Sequence, residues 1–491
     1  MADGKQRATP MRFASRLRQI APAIILLTCL SSALANNPIP TVVGPVVPQA
    51  VVPGSGAFTL KVYGANFVSG AVVNWNRSPR STTFISAREL RAQILASDVA
   101  TATAGYITVT NPPPGGGVSS ASYAIVEVHR PTATIVAKQP IAYLKGGGNL
   151  YLPLADFNND GILDFAAQRT IKEMDVRLGN GDGTFRFGSV ATYNSYSQSA
   201  IATGDFNNDG NEDLVFGADW QGPPTQLQVN LGNGEGKFRF ASRFANFPEL
   251  WPLDIAVGDF NQDGNLDLAV VAGDEDEAVS IFLGNGNGTF GKPRSYPISL
   301  FPNSVVTGDF NGDGKLDLVV GNGYDLEVLF GNGNGTFQKA RKVASFRSTI
   351  FQLLVSDFDG DGTLDLAVAE RDQTNGKLWI ILGNGDGTFK KPVALTIKGG
   401  GNFGFSFTAG DFNSDGKTDL LVNYGINDNQ TETDLYLGNG DGTFQEKKIV
   451  NLPGAPNYNA ELGIVPADFN SDGLLDFIFQ QPGDIAVFLQ K

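Results

Sequence analysis

From residue 153 to the C-terminus, short apolar stretches alternate with loops rich in aspartate, asparagine and glycine. In one such unit "DIAVGDF" runs into an acidic loop and "LDLAVVA" leaves it. "AVSIFLG" follows, and "GTFGKPRSY" comes after a Gly-Asn-Gly turn. Short runs of this kind, bounded by turn residues, predict β-strands, and no window carries the 3.6-residue apolar spacing of a helix face. Asn-Gly pairs favour positive φ and tight hairpins. The unit is therefore about four antiparallel strands in about fifty residues. Strands such as "LDLAVV", apolar at nearly every position, fit inner strands covered on both faces.

The acidic loop recurs seven times: "DFNNDGILD" from Asp156, "DFNNDGNED" from Asp205, "DFNQDGNLD" from Asp259, "DFNGDGKLD" from Asp309, "DFDGDGTLD" from Asp357, "DFNSDGKTD" from Asp411 and "DFNSDGLLD" from Asp468. A glycine hairpin motif follows six of them, as in "LGNGDGTF" from Leu178, Leu382 and Leu437. Strand-built units at this period predict a β-propeller, and seven repeats imply seven blades. The last repeat stops after "DIAVFLQK", without the hairpin or a fourth strand. "PTATIVAKQ", from Pro131, is expected to supply that outer strand and remove an open edge.

Residues 36–128 lack both motifs but alternate in short strands: "FTLKVYG", "AVVNWN", "TTFISA", "LRAQILA", "GYITVTN" and "SYAIVEV". They predict a small β-sandwich. "NPPPGGG", from Asn111, has no lysine and no following helix, so it is a strand-connecting loop rather than a phosphate cradle.

Residues 1–35 have the form of an export signal. Lys5, Arg7, Arg12, Arg16 and Arg18 precede a short apolar run, and Ala33-Leu34-Ala35 is a small-x-small cleavage site. The expected location is secreted, periplasmic or cell-surface, with no stable membrane span after cleavage, and a monomer is expected. Cys29 is the only cysteine, so the mature protein has no disulfide and needs another staple. The net charge of -14 argues against nucleic acid as a partner, because phosphate binding needs basic patches.

The acidic loops supply that staple. Alternate positions of a tight loop converge on one centre. Position 1 is Asp156, Asp205, Asp259, Asp309, Asp357, Asp411 and Asp468. Position 3 is Asn158, Asn207, Asn261, Asn311, Asp359, Asn413 and Asn470. Position 5 is Asp160, Asp209, Asp263, Asp313, Asp361, Asp415 and Asp472. Glycine at position 6 permits the turn. Position 7 offers a backbone carbonyl from Ile162, Asn211, Asn265, Lys315, Thr363, Lys417 and Leu474. Position 9 closes the cage with Asp164, Asp213, Asp267, Asp317, Asp365, Asp419 and Asp476. Hard oxygen donors in a roomy loop favour Ca2+. Without a cation the carboxylates would repel one another or take up protons. An EF-hand would need Glu at position 12, where these loops carry Ala167, Phe216, Val270, Val320, Val368, Val422 and Phe479.

With these motifs in view, residues 129–491 resemble the FG-GAP/VCBS repeats of exported bacterial proteins and are similar to the seven-bladed propeller of integrin alpha subunits. "FTLKVYGANFVSGAVVNWN" and "YITVTNPPPGGGVSSASYAIV" resemble the IPT/TIG immunoglobulin-like domain. The fold class expected is all-β: a seven-bladed β-propeller preceded by a small immunoglobulin-like β-sandwich. The resemblance implies calcium in the acidic loops on one face and a ligand on the other.

No catalytic set stands out. The single histidine, His129, sits at the domain junction, and the positions just named hold many of the chain's 50 acidic residues. The expectation is a non-enzymatic binding or adhesion module for a carbohydrate or protein ligand at the cell surface. The alternative is a polysaccharide lyase or hydrolase on the propeller scaffold. Candidate ligand-face aromatics are Trp220 and Trp251 foremost, then Tyr193, Tyr196, Phe301, Tyr324, Tyr424 and Tyr458.

Overall fold

The computed structural model describes residues 36–42, 46–119, 124–131, 141–142, 152–170, 173–192, 198–218, 225–247, 252–272, 278–299, 301–371, 376–397, 405–427, 430–445, 448–450, 463–481 and 484–490. The export signal of residues 1–35 lies outside them. Among the described residues every regular element is a β-strand, and no helix is long and apolar enough to cross a membrane.

The N-terminal residues form two sheets. One orders Thr41–Val42, Phe58–Ala65, Glu89–Ile94 and Thr82–Phe84. The other orders Ala50–Val51, Ala124–Val128, Thr103–Asn111, Val72–Trp75 and Ser78–Pro79, with Gly117–Val118 paired to Thr103–Asn111. Period-2 alternation places one face of each inside: in Glu89–Ile94, Leu90, Ala92 and Ile94 are buried while Arg91 and Gln93 are exposed. These residues share a core with Leu60, Val62, Trp75, Val109 and Val126. Gly105 is required there, because a Cβ would lie 2.4 Å from the Trp75 ring.

The rest of the chain repeats one four-stranded antiparallel sheet, the unit of a β-propeller, and seven such sheets are described. In the third repeat the strands are Pro252–Gly258, Asp267–Ala272, Ala278–Phe282 and Arg294–Pro297, paired in chain order. The second strand is buried along nearly its whole length and the fourth is mostly exposed. This is why "LDLAVV" is apolar at every position but Asp267 while "RSYP" is not. Position 12 of each acidic loop falls inside the second strand, as its apolar character requires.

Neighbouring sheets share their cores. Leu227 and Val229 of the second repeat cluster with Leu268 and Val270 of the third. Phe165 and Ala167 of the first cluster with Ile478 and Val487 of the last, so the series closes on itself. The closing strand is Ile141–Ala142, which pairs antiparallel with Asp484–Phe488 through Ile141↔Val487 and Ala142↔Ala486. The pairing therefore falls just downstream of the stretch expected from sequence, of which residues 132–139 lie outside the described ones.

Both motifs take part in this joining. The phenylalanine at position 2 of one acidic loop meets the phenylalanine of the next repeat's hairpin edge-on, as in Phe157–Phe238 at 5.3 Å and Phe260–Phe337 at 5.5 Å between centroids. The same phenylalanine's carbonyl accepts the N–H of that hairpin's third glycine, as in Gly335 N to Phe260 O at 3.0 Å. Between last and first repeats the pair is Phe469–Phe185 and the bond runs from Gly183 to Phe469.

The first hairpin glycine has no room for a side chain. A Cβ on Gly331 would lie 2.1 Å from the Leu316 carbonyl oxygen, whereas one on Gly291 would meet nothing closer than 3.5 Å. Gly331→Ala is therefore expected to destabilise the protein by about 1–3 kcal/mol, the usual cost of forced overpacking, with Gly291→Ala close to neutral. Thermal melting of the two variants side by side checks this, and equal melting temperatures would contradict it.

Candidate metal centre

Each acidic loop is wound by its own side chains. In the third, Asp259 Oδ1 accepts from Asp263 N at 3.1 Å and Oδ2 from Gly264 N at 2.9 Å. Asn261 Oδ1 accepts from Asp263 N at 2.9 Å, and Asp263 Oδ1 from Asn265 N at 2.9 Å. Such Asx bonds let short polar side chains replace a backbone ladder in a tight turn. Position 6 is glycine with φ near +80° to +90°, as in Gly264 at 86°. Position 4 is also left-handed, a feature the sequence reading did not single out. Asn159, Asn208, Gln262, Ser414 and Ser471 all have φ between 57° and 59° there, and Gly312 and Gly360 replace them in two loops.

Positions 1, 3 and 5 come together as the spacing requires, and the fifth loop shows it most directly. Asp357, Asp359 and Asp361 each offer a carboxylate oxygen within 4.8 Å of the others, close enough for one cation. The other loops replace the middle carboxylate with an asparagine oxygen. Position 1 is buried or nearly so, and position 5 faces solvent to varying degrees.

Position 9 is fully buried in all seven loops, and in six of them both its oxygens accept from backbone donors. Asp317 Oδ2 accepts from Phe310 N at 3.1 Å, and its Oδ1 accepts from Gly331 N at 2.8 Å. Each described hairpin glycine at that place bonds its own loop's aspartate in this way. In the seventh repeat Gln490 stands at this place, and its N–H donates to Asp476 Oδ1 at 2.7 Å. Sequence reasoning assigned position 9 to the cation cage alone; its bonds also tie the acidic loop to the hairpin.

The charge is costly without a counter-ion. Burial, opposed by these backbone donors and reinforced by neighbouring aspartates, pushes Asp267, Asp317 and Asp476 up to about 8. Burial likewise raises Asp164 and Asp365 to about 7 and Asp259 to about 6. The donor set is oxygen only, and carboxylates this strained fit a hard divalent cation.

The sandwich lies against this loop face. Ile39 N donates to Asp259 Oδ2 at 2.8 Å, and Asn66 Nδ2 donates to Asp259 O at 3.0 Å. Arg88 Nε is 3.2 Å from Asp309 Oδ2, and Arg77 pairs with Asp156. Tyr106 OH donates to Asp468 O at 2.5 Å. Between the sandwich and the first three loops a cavity of about 750 Å³ remains, walled by Asn74, Thr108, Thr110, Asn159, Asn211 and Asn265 among others.

The aromatics divide. Phe301 and Tyr324 are each 55% exposed, at the strand ends remote from the acidic loops. Tyr424 is buried instead, on a strand buried on both faces, with its hydroxyl within hydrogen-bond distance of the Glu432 and Asp434 carboxylates. Trp220, Trp251, Tyr193, Tyr196 and Tyr458 lie outside the described residues. His129 Nδ1 lies 2.8 Å from the Arg130 carbonyl oxygen.

The pH dependence of the metal-free protein follows from the raised aspartates. A carboxyl raised by folding stabilises the native state while it is protonated. That contribution is complete below the ordinary aspartate range and is lost as pH rises through about 7 to 8. In chelator the melting temperature is expected to be higher at pH 5.5 than at pH 8.5, and excess calcium should shrink the difference. A melting temperature that climbs with pH in chelator would contradict this.

The FG-GAP-like repeat model matches residues 156–216, 205–270, 259–320, 309–368, 357–422 and 424–479, and the FG-GAP repeat model matches residues 403–444. Integrin alpha-V from Gallus gallus is 32% identical over 157 residues, a match that takes in 28% of this chain and 15% of that protein. Among solved structures, a lectin from Agrocybe aegerita that recognises non-reducing terminal N-acetylglucosamine aligns over 78% of this chain and 96% of its own, at 17% identity and a TM-score of 0.47. An auxiliary nutrient binding protein from Bacteroides ovatus aligns over 92% and 98%, at 12% identity and a TM-score of 0.41. Likenesses this distant carry no argument about ligands. The repeat matches take in every acidic loop and well over half of the sequence, and by them the chain belongs to the FG-GAP-like repeat family.

Proposed function

We propose that the protein is an exported, calcium-binding seven-bladed propeller with an immunoglobulin-like sandwich. It acts as a binding or adhesion module for a carbohydrate or protein at the cell surface. The observation that carries this reading is the covering of the acidic-loop face by the protein's own sandwich. Ions held beneath a covering domain serve the architecture. A ligand would bind at the opposite rim, where Phe301 and Tyr324 are exposed. Aromatic rings presented this way stack on sugar faces or anchor protein partners.

Calcium would be held by the carboxylates of positions 1 and 5, the oxygen of position 3 and the carbonyl of position 7. Position 9 closes the cage and also fixes the loop to the hairpin. The ion supplies positive charge where folding has gathered aspartates, and it takes the place of disulfides in a mature chain without cysteine. The cavity between sandwich and loops, walled by amides and hydroxyls, is a second place where a polyhydroxylated ligand would find partners. The role proposed is not enzymatic.

Calorimetric titration of residues 36–491 should find close to seven calcium equivalents. At calcium tenfold above Kd each site adds about 1.4 kcal/mol, so chelation should lower the melting temperature sharply. A glycan array, run with calcium and with chelator beside an activity screen on the same polysaccharides, should give binding without turnover. Turnover would replace the binding module with an enzyme. Absence of calcium binding and of any melting shift would remove the metal reading.

A further inference from the structure

The sandwich meets the sixth acidic loop with a carboxylate. Glu127, in the strand Ala124–Val128, is 2% exposed. Its Oε2 accepts a hydrogen bond from the Ser414 hydroxyl at 2.5 Å, and Ser414 is position 4 of that loop. Its Oε1 is buried without a hydrogen-bond partner. The charges acting most strongly on it are Asp411, Asp468 and Asp419, all of its own sign.

The sixth loop has an orphan of its own. In the other six repeats the position-9 aspartate holds the N–H of its loop's phenylalanine through Oδ2. Asp419, fully buried, has an Oδ2 with no partner. Two buried carboxylates, each with an unpaired oxygen, therefore belong to one junction. The junction is firmly seated. Gln49 Nε2 donates to Thr418 Oγ1 at 3.1 Å, and the Gln49 carbonyl accepts from Glu127 N at 2.8 Å. Beside it, a Cβ on Gly473 of the seventh loop would lie 2.8 Å from the Val128 carbonyl oxygen.

An unsatisfied buried anion is expensive, and a like-charged neighbour adds to the cost. A proton relieves one group of such a pair. A divalent cation relieves both, and it accepts the lone pairs that no N–H or O–H reaches. Carboxylates, an amide oxygen and a carbonyl are the hard donors that calcium takes in irregular, high-coordination sites.

We propose that Glu127 is a ligand donated by the sandwich to the cation of the sixth acidic loop, so that one calcium ion joins the two folds. This rests on the reading that the acidic loops bind calcium. It adds that one site is completed across a domain boundary and that calcium there governs how firmly the sandwich is held.

The test uses the full chain, as wild type, Glu127→Gln, Ser414→Ala and the exposed-hairpin control Glu235→Gln. Calcium binding is read by calorimetry, and hydrogen exchange is followed in the segment 124–128 with calcium, magnesium or chelator. Wild type should gain protection in 124–128 with calcium. Glu127→Gln, nearly isosteric, should lose one equivalent or weaken one site by ~10-fold or more, and should lose that protection. Ser414→Ala keeps the carboxylate, and Glu235→Gln lies far from the junction, so both should retain the full count. Full binding and full protection in Glu127→Gln would overturn the proposal, leaving Glu127 a neutral acid bonded to Ser414. Wild type that binds calcium but shows no calcium-dependent protection in 124–128 would overturn it without any variant. Wild type that binds no calcium would overturn the metal reading of all seven loops together with this one.

Discussion

The buried aspartate at position 9 is the interaction on which the repeat depends. It sits at the root of the second strand, with no exposure in any of the seven loops. Folding could bury a carboxylate there only by giving it donors, and the nearest ones are backbone N–H groups that the turn itself leaves unpaired. One comes from position 2 of the same loop and one from the first glycine of the hairpin, as with Phe310 and Gly331 on Asp317. Two sequence motifs about twenty residues apart are thereby locked to one side chain. The hairpin glycine must approach so closely that its Cα faces a carbonyl oxygen, at a distance no Cβ would survive. In the six repeats that carry both motifs the aspartate and the glycine therefore form one device in two parts. The last repeat, where Gln490 supplies the missing N–H to Asp476, shows that the donor matters more than the residue that provides it.

The same loop also transmits order around the ring. Position 2 uses its N–H inside the repeat and its carbonyl outside it, toward the third glycine of the next hairpin. Its ring packs on the next hairpin's phenylalanine. A loop that loses its shape thus disturbs its own sheet and its neighbour's hairpin at once. A propeller's sheets otherwise meet through apolar faces, which are weakly directional. Hydrogen bonds at the loop face add the registration that those faces lack. Closure by Ile141–Ala142 then pairs part of the edge that Asp484–Phe488 would otherwise expose.

Much of this was legible in the sequence, because the repeat supplies its own control. Strand positions follow from apolar runs that recur in step, and the position-12 residues, Val270 and Val320 among them, exclude an EF-hand before any coordinate is known. The convergence of positions 1, 3 and 5 is expected from alternation alone, and in the fifth loop Asp357, Asp359 and Asp361 each offer an oxygen within 4.8 Å of the others. The second role of position 9 was not legible, since its partners are backbone groups that carry no residue identity. Nor was the docking of the sandwich: Ile39 meets Asp259 across 220 residues, through a main-chain N–H that any residue other than proline would offer. Tyr424 misled for a related reason. A tyrosine beside glycine and asparagine reads as a loop residue, yet it lies on a strand whose neighbours provide two carboxylates for its hydroxyl.

The sandwich changes the electrostatic problem unevenly around the ring. At the first and fourth loops it brings arginines, Arg77 beside Asp156 and Arg88 beside Asp309, which supply positive charge where aspartates gather. At the third it brings only neutral donors, Ile39 N and the Asn66 amide. At the sixth it brings Glu127, and the negative charge there increases. A domain that merely shielded the loops would gain nothing from a carboxylate in that place. Arginine loses little when a cation is absent, because it meets part of the aspartates' need itself. Glutamate makes the need greater. The docked arrangement is thus tolerant of an empty loop on one side of the ring and intolerant on the other. The two kinds of contact divide the work accordingly: arginines and neutral donors hold the sandwich in place, and the glutamate makes its grip depend on the ion.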